Sequence, residues 1–234
     1  MNHSTILKVS LAVGILTTGV GLQSHAAAFA NEGDIQVINS QTKALKDYYS
    51  QTPFEYRNVT GYAEGNNKLD VVTNYGTSVL VSLDGSDLSK YNSKGKTYSN
   101  LDIFVVREGT DRSAETKSIG GITQSNKATY YDHVKNPNIV INRTSYGVPS
   151  SIHTNDFTIN KEEVSLKELD FKLRQMLINK YDLYKNDSNN GKIVIKIGDK
   201  DTDIMTLELN KKLQDHRMSD TVDVNKIQKI TIDL

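Results

Sequence analysis

The stretch SLKELDFKLRQMLINKYDLY, Ser165 to Tyr184, carries the strongest helical period in the chain, and it is surrounded by short runs of β character. Leu169, Leu173, Met176, Leu177 and Tyr181 recur at the spacing that puts them on one helix face. Ser165 and Glu168 form the Ser-x-x-Glu pattern of a capping box, which marks where the helix begins. That stripe is core, and it needs a sheet to cover it. The sheet is available in NIVIN from Asn138, IHTNDFTIN from Ile152, KIVIKIG from Lys192, DIMTLEL from Asp203 and QKITIDL from Gln228, with a short helix around Val224 to Lys226. One long helix on a mixed sheet is an α+β unit of β-grasp type.

The first half has a different texture. TKALKDYYSQ from Thr42 has helical spacing at Ala44, Leu45, Tyr48 and Tyr49 and is stopped by Pro53. Five β-type runs follow: FEYRNVTGY, KLDVVTN, SVLVSL, LDIFVVRE and KSIGGITQ, with a loop expected at DGSDLSKYNSKGKTYSN. Short strands at this spacing predict a small β-barrel, with Gly120 and Gly121 at a bulge or barrel corner. The polar, proline-bearing segment from Asn126 to Ser151 marks the change of domain. At the N-terminus, Lys8, the apolar run Val9 to Leu22 and Ala-Phe-Ala ending at Ala30 read as a secretory signal peptide cleaved before Asn31. The expected organisation is therefore a signal peptide over 1–30, a helix and β-barrel over 31–135, and a β-grasp domain over 136–234.

Composition narrows the function classes. There is no cysteine, so neither a thiol nucleophile nor a cysteine metal site is available, and an exported chain without disulfides fits a bacterium that secretes into its surroundings. The 28 basic and 28 acidic residues cancel, and the basic residues lack aromatic interleaving, which argues against nucleic-acid binding. No phosphate loop, nucleophile elbow or paired His-Glu motif is present, and His216 with Asp220 is the only local pair of metal-ligand type. The reading is a non-enzymatic protein with no cofactor.

MTLELNKKLQDHRMSD, Met205 to Asp220, draws attention instead. With Leu207 and Leu209 buried, period two places Thr206 and Glu208 side by side on the outer face of a strand. Lys211, Lys212, His216 and Arg217 would bring positive charge beside them if the chain folds back over that strand. A solvated strand edge and a local anion site are both compatible with this pattern.

KEEVSLKELDFKLRQMLINKYDLY, through Lys161, Val164, Leu169, Asp170, Arg174, Leu177, Leu183 and Tyr184, resembles the second signature of the staphylococcal and streptococcal superantigen toxin family. IGGIT, Ile119 to Thr123, matches the first signature in part, with isoleucine where tyrosine is usual and Ala128 where asparagine is. Together with DIFVVRE and ELNKKLQDHRMSD, the chain is similar to the staphylococcal superantigen-like proteins over the whole of its mature length. The resemblance implies an N-terminal OB-fold barrel, a C-terminal β-grasp domain, secretion, and interference with host innate immunity by binding. Relatives that bind sialyl-Lewis X type glycans carry a run similar to the one here, which implies a glycan site at Thr206, Glu208, Lys211, His216 and Arg217, with Arg217 and Lys211 at the charged end. Ile204 and Met205 stand where such relatives often have aromatic residues. The implied partners are sialylated glycoproteins on leukocytes; the alternatives are an immunoglobulin, complement component or innate receptor, a residual superantigen activity, and a homodimer formed through exposed strands.

Overall fold

A computed structural model describes residues 38–109, 116–145, 147–187 and 189–234. The expected signal peptide lies outside the described residues. The first element is α1 (Ser40–Tyr49), capped by Asn39, whose side chain accepts the Thr42 amide. A six-stranded sheet follows, from β1 (Phe54–Gly65), β2 (Lys68–Val72), β3 (Ser78–Ser82), β4 (Thr97–Val105), β5 (Thr116–Ile119) and β6 (Ile122–Gln124). Its strand order is β5-β3-β2-β1-β4-β6. Because β5 and β6 occupy opposite edges yet are joined by only Gly120 and Gly121, the sheet has to curl until its edges meet.

The expected single run KSIGGITQ is thus two strands. Gly120 and Gly121 have φ of 53° and 80°, and side chains there would run into Met218 and the Phe104 carbonyl, so the barrel corner requires glycine. Inside the barrel lie Val59, Leu69, Val71, Val79, Val81, Leu101, Ile103 and Ile122. The loop expected between β3 and β4 contains α2 (Ser86–Tyr91), a correction. Its short, polar sequence has too few residues to show a period, and it is held by packing rather than propensity.

The second half forms a five-stranded sheet from β7 (Asn138–Ser145), β8 (Val148–Thr154), β10 (Lys192–Lys196), β11 (Ile204–Glu208) and β13 (Lys229–Asp233), ordered β11-β10-β13-β7-β8. The β13–β7 pair is parallel and its neighbours are antiparallel. The strand expected from Ile152 to Asn160 starts earlier and stops at Thr154; beyond it, Ile159 makes an isolated bridge with Lys135. β9 (Glu163–Ser165) and β12 (Thr221–Asp223) pair separately.

The long helix, α3 (Leu166–Tyr181), lies against this sheet with Leu169, Leu173, Met176 and Leu177 buried in one core with Ile139, Ile141, Ile193, Ile195, Ile230 and Ile232. Ser165 Oγ accepts the Glu168 amide at 3.1 Å, which is one half of the expected box. The other half is missing, because the buried Glu168 carboxylate instead takes Lys161 and Lys172 at 2.8 and 2.7 Å. Burial alone would raise the Glu168 pKa, but these two ammonium groups overcome it and hold the carboxyl below its usual range. Leu45 and Tyr49 of α1 and Phe104 of β4 join the α3 core, so the helix is packed from both sides.

Candidate functional site

β11 is an edge strand of the five-stranded sheet, paired on one side to β10 with Thr206 opposite Val194. Leu207 and Leu209 are buried, while Thr206 is half-buried and Glu208 exposed, as period two requires. Ile204 is exposed and Met205 half-buried ahead of them. After Asn210 the chain turns, drops Leu213 into the core, and enters the 3-10 turn Asp215–Ser219.

That turn folds back over β11. Arg217 Nη2 donates to the Thr206 carbonyl at 3.0 Å and Nη1 to Gln214 Oε1 at 3.3 Å. The guanidinium thereby occupies a carbonyl that an edge strand would otherwise leave to solvent. Two of its five N–H groups are used in this way, and the fork stays half exposed. Lys211 pairs with Glu208, both about half exposed, and His216 is exposed beside Arg217. Thr206, Glu208, Lys211, His216 and Arg217 therefore share one sheet edge and the turn above it. Gln214, which orients the guanidinium, belongs to the run that carries the resemblance, but the sequence assigns it no role; its contact with Arg217 gives it one.

Lys212 diverges from this group. Its ammonium sits 2.6 Å from Glu108 and 4.4 Å from the centre of the Tyr48 ring, so it ties the turn to the barrel and α1. Lys167 approaches the same Glu108 at 3.6 Å and donates to Ser118 Oγ and the Ile119 carbonyl at 2.8 and 2.6 Å. Burial lowers the Lys167 pKa to about 8, with Glu108 opposing that shift.

The support beneath the site is a buried polar cluster in α3. Arg174 Nε donates to Asp170 at 2.7 Å, while Nη2 and Nη1 donate to the carbonyls of Glu208 and Leu209 at 2.9 and 3.1 Å. The Tyr184 hydroxyl donates to the same Leu209 carbonyl at 2.7 Å. Tyr49 donates to Asp170 at 2.6 Å and its oxygen accepts the Leu213 amide at 3.2 Å. The Tyr49 pKa is raised, first by burial and then by Asp170, so the hydroxyl remains a donor. These residues fix both ends of the turn that carries Lys211. The spacing of Asp170 and Arg174, four apart on one helix face, is the sequence signal for this support.

Chemically, the edge offers a forked cation with spare donors, an ammonium, an imidazole, a hydroxyl and a carboxylate. Such a set can hold an acid and pair with neighbouring hydroxyls. Among the described residues no three His, Cys, Asp or Glu side chains converge to hold a metal ion. A separate polar cleft of about 720 Å³ lies between the barrel and the β-grasp unit, lined by Arg57, Asn58, Asn100, Asp102, Ser125 and Asn160 among others, and contains none of the expected site residues.

Comparison with known proteins identifies both halves of the chain. Residues 43–126 match the staphylococcal superantigen-like OB-fold domain, and residues 126–234 match the staphylococcal/streptococcal toxin β-grasp domain. Superantigen-like protein 11 of Staphylococcus aureus strain Newman is 44% identical over 234 residues, covering 100% of both chains. Staphylococcal superantigen-like 5 of the same strain is 39% identical over 234 residues, covering 98% of each. A crystal structure of superantigen-like protein SSL5 complexed with sialyl Lewis X superposes with a TM-score of 0.74 at 38% identity, covering 82% of this chain and 99% of that one. A second structure, of a Staphylococcus aureus superantigen-like protein in complex with sialyl-Lewis X, gives 0.74 at 35% identity, with 82% and 98% covered. No helix among the described residues is long and apolar enough to cross a membrane. The chain belongs to the staphylococcal superantigen-like proteins, a family of secreted, non-enzymatic exoproteins built from an OB-fold barrel and a β-grasp domain.

Proposed function

We propose that this chain binds sialylated host glycans of the sialyl-Lewis X type on leukocyte glycoproteins and thereby blocks innate immune functions such as neutrophil adhesion. The observation that carries the reading is the seating of Arg217 over Thr206, next to the exposed Glu208–Lys211 pair. A sialic acid carboxylate takes charge-assisted hydrogen bonds from the free edge of the Arg217 fork and from Lys211. Ring hydroxyls and the N-acetyl group pair with Thr206 and Glu208, and His216 closes one side. Two relatives of the same fold, solved with sialyl Lewis X, support this choice of ligand. The functional form is the exported chain from Asn31, with the barrel to about residue 135 and the grasp domain from 136.

Titration of immobilised sialyl-Lewis X against the same glycan lacking sialic acid tests the reading. Saturable binding to the first and none to the second is the expected result; equal binding to both would remove the acid from recognition.

A second reading has its own observation. β8 is an edge strand in which Val148 to His153 are all exposed. An open edge of this kind accepts an added strand, either from a host immune protein or from a second copy of the chain.

A further inference from the structure

The barrel reaches the candidate site from behind. At the start of α2, the Ser86 amide donates to Ser219 Oγ at 3.0 Å and Ser86 Oγ donates to the Ser219 carbonyl at 2.9 Å. Gly85 takes φ of 51°, and its lack of a Cβ lets the backbone close on the His216 carbonyl. From the barrel corner the Gly121 amide donates to the Met218 carbonyl at 3.1 Å. The turn that presents His216 and Arg217 is therefore clamped on its inner side by barrel residues.

Asp87 lies within this joint. It is fully enclosed, and among the described residues neither carboxylate oxygen has a hydrogen-bond partner. A buried polar group left unpaired is costly, and a buried unpaired charge more so. The charged groups acting on it are Lys90 from its own helix, Glu163 from β9 and Asp220 after the 215–219 turn. Two of these three are carboxylates, and Glu163 already accepts the Gln124 amide. Tyr91 follows one turn along α2, with its hydroxyl taken by Gln124. Burial chiefly, opposed by Lys90 and reinforced by Glu163 and Asp220, pushes the Asp87 carboxyl up to about 7.

We propose that Asp87 is a positioning residue for the candidate site, keeping α2 docked on the 215–219 turn while its carboxyl is protonated, so that the presentation of His216 and Arg217 depends on pH. The glycan consequence rests on the function proposed above; the joint itself does not. A neutral carboxyl tolerates the enclosed position. An ionised one has to admit water, draw Lys90 inward or leave, and each route loosens the contact with Ser219. In an open joint or unfolded chain the group loses its proton near 3.8, whereas the closed joint keeps it to about 7. The closed form therefore holds more protons between those values. Closure is strongest in acid, weakens as pH rises towards 7, and is level above it.

The test is amide hydrogen exchange of the full chain at pH 5.5 and 7.5, corrected for intrinsic rates, for wild type and Asp87→Asn, beside affinity for sialyl-Lewis X tetrasaccharide. In wild type, protection at residues 85–88 and 217–220 should fall about tenfold relative to the rest of the barrel, and glycan affinity should fall with it. Asp87→Asn should lose the pH-dependent change in protection, and with it the part of the affinity change that follows the joint. Protection independent of pH in wild type, or the same slope in the variant, overturns the proposal. Joint opening that follows pH only in wild type, with no glycan bound at either pH, supports the joint and removes the sugar reading instead. If Asp87→Asn does not fold, a 13C carboxyl titration of wild type decides, and an ordinary carboxyl midpoint for Asp87 overturns the proposal.

Discussion

Arg174 and Glu208 are joined across the grasp core: the α3 guanidinium donates to the Glu208 carbonyl at 2.9 Å while its Nε is held by Asp170 at 2.7 Å. A helix residue thus sets the backbone of the strand end that carries the candidate glycan contacts. Removing the cation leaves the buried Asp170 carboxylate with only the Tyr49 hydroxyl and frees the Glu208 carbonyl, while Leu209 keeps Tyr184. Arg174→Met is expected to cost on the order of 3–5 kcal/mol by chemical denaturation. A loss below about 1 kcal/mol would mean that the cluster is not what holds the turn.

Arg217 should behave in the opposite way. It is half exposed and its protein contacts are one carbonyl and one side-chain amide oxygen, so Arg217→Ala is expected to cost about 1 kcal/mol or less. Its glycan affinity should fall at least about tenfold, the loss of one charge-assisted pair. Arg217→Lys keeps the charge but not the fork and should recover only part of the affinity. The two substitutions, compared by calorimetric titration and thermal melting, separate a binding role from an edge-capping one.

Lys167 predicts a pH signature. Its folded pKa is lowered to about 8 from 10.5, so above pH 8 the unfolded chain holds the extra proton. Stability from this group consequently rises with pH between about 8 and 10. Tyr48 and Tyr49, both raised chiefly by burial, act in the other direction only above that window. Denaturant titrations at pH 8 and 9.5 should show this rise in wild type and its absence in Lys167→Met.

Gly85 tests the barrel contact without altering a charge. Gly85→Ala places a methyl against the His216 carbonyl at a backbone angle that alanine avoids. It should lower the melting temperature by about 5 °C or more, an effect of roughly 2 kcal/mol in a chain of this size. Wild-type melting would show that the turn can move away from α2 freely.

Periodicity exposed most of the fold. The α3 stripe, the Leu207 and Leu209 alternation and the short barrel runs all reflect one-sided burial, which leaves a mark in the order of residues. α2 left none, because six residues held by the Ser86 contacts with Ser219 have no period to read. The capping box was half legible: the sequence showed a serine and a glutamate at the right spacing but not Lys161 and Lys172 waiting for the carboxylate. For the site, the strand half was readable and the return of Arg217 over Thr206 was only conditional, since the turn direction depends on Arg174, Tyr49 and the barrel joint. Lys212 looked equivalent to Lys211, and only the position of Glu108 distinguishes them.

On the proposed function, host recognition at the Thr206 to Arg217 edge runs through sialic acid. The most direct measurement is binding of residues 31–234 to human neutrophils before and after sialidase treatment. Binding should be largely lost on treated cells. Undiminished binding would contradict that reading and move the search to protein receptors, beginning with the β8 edge.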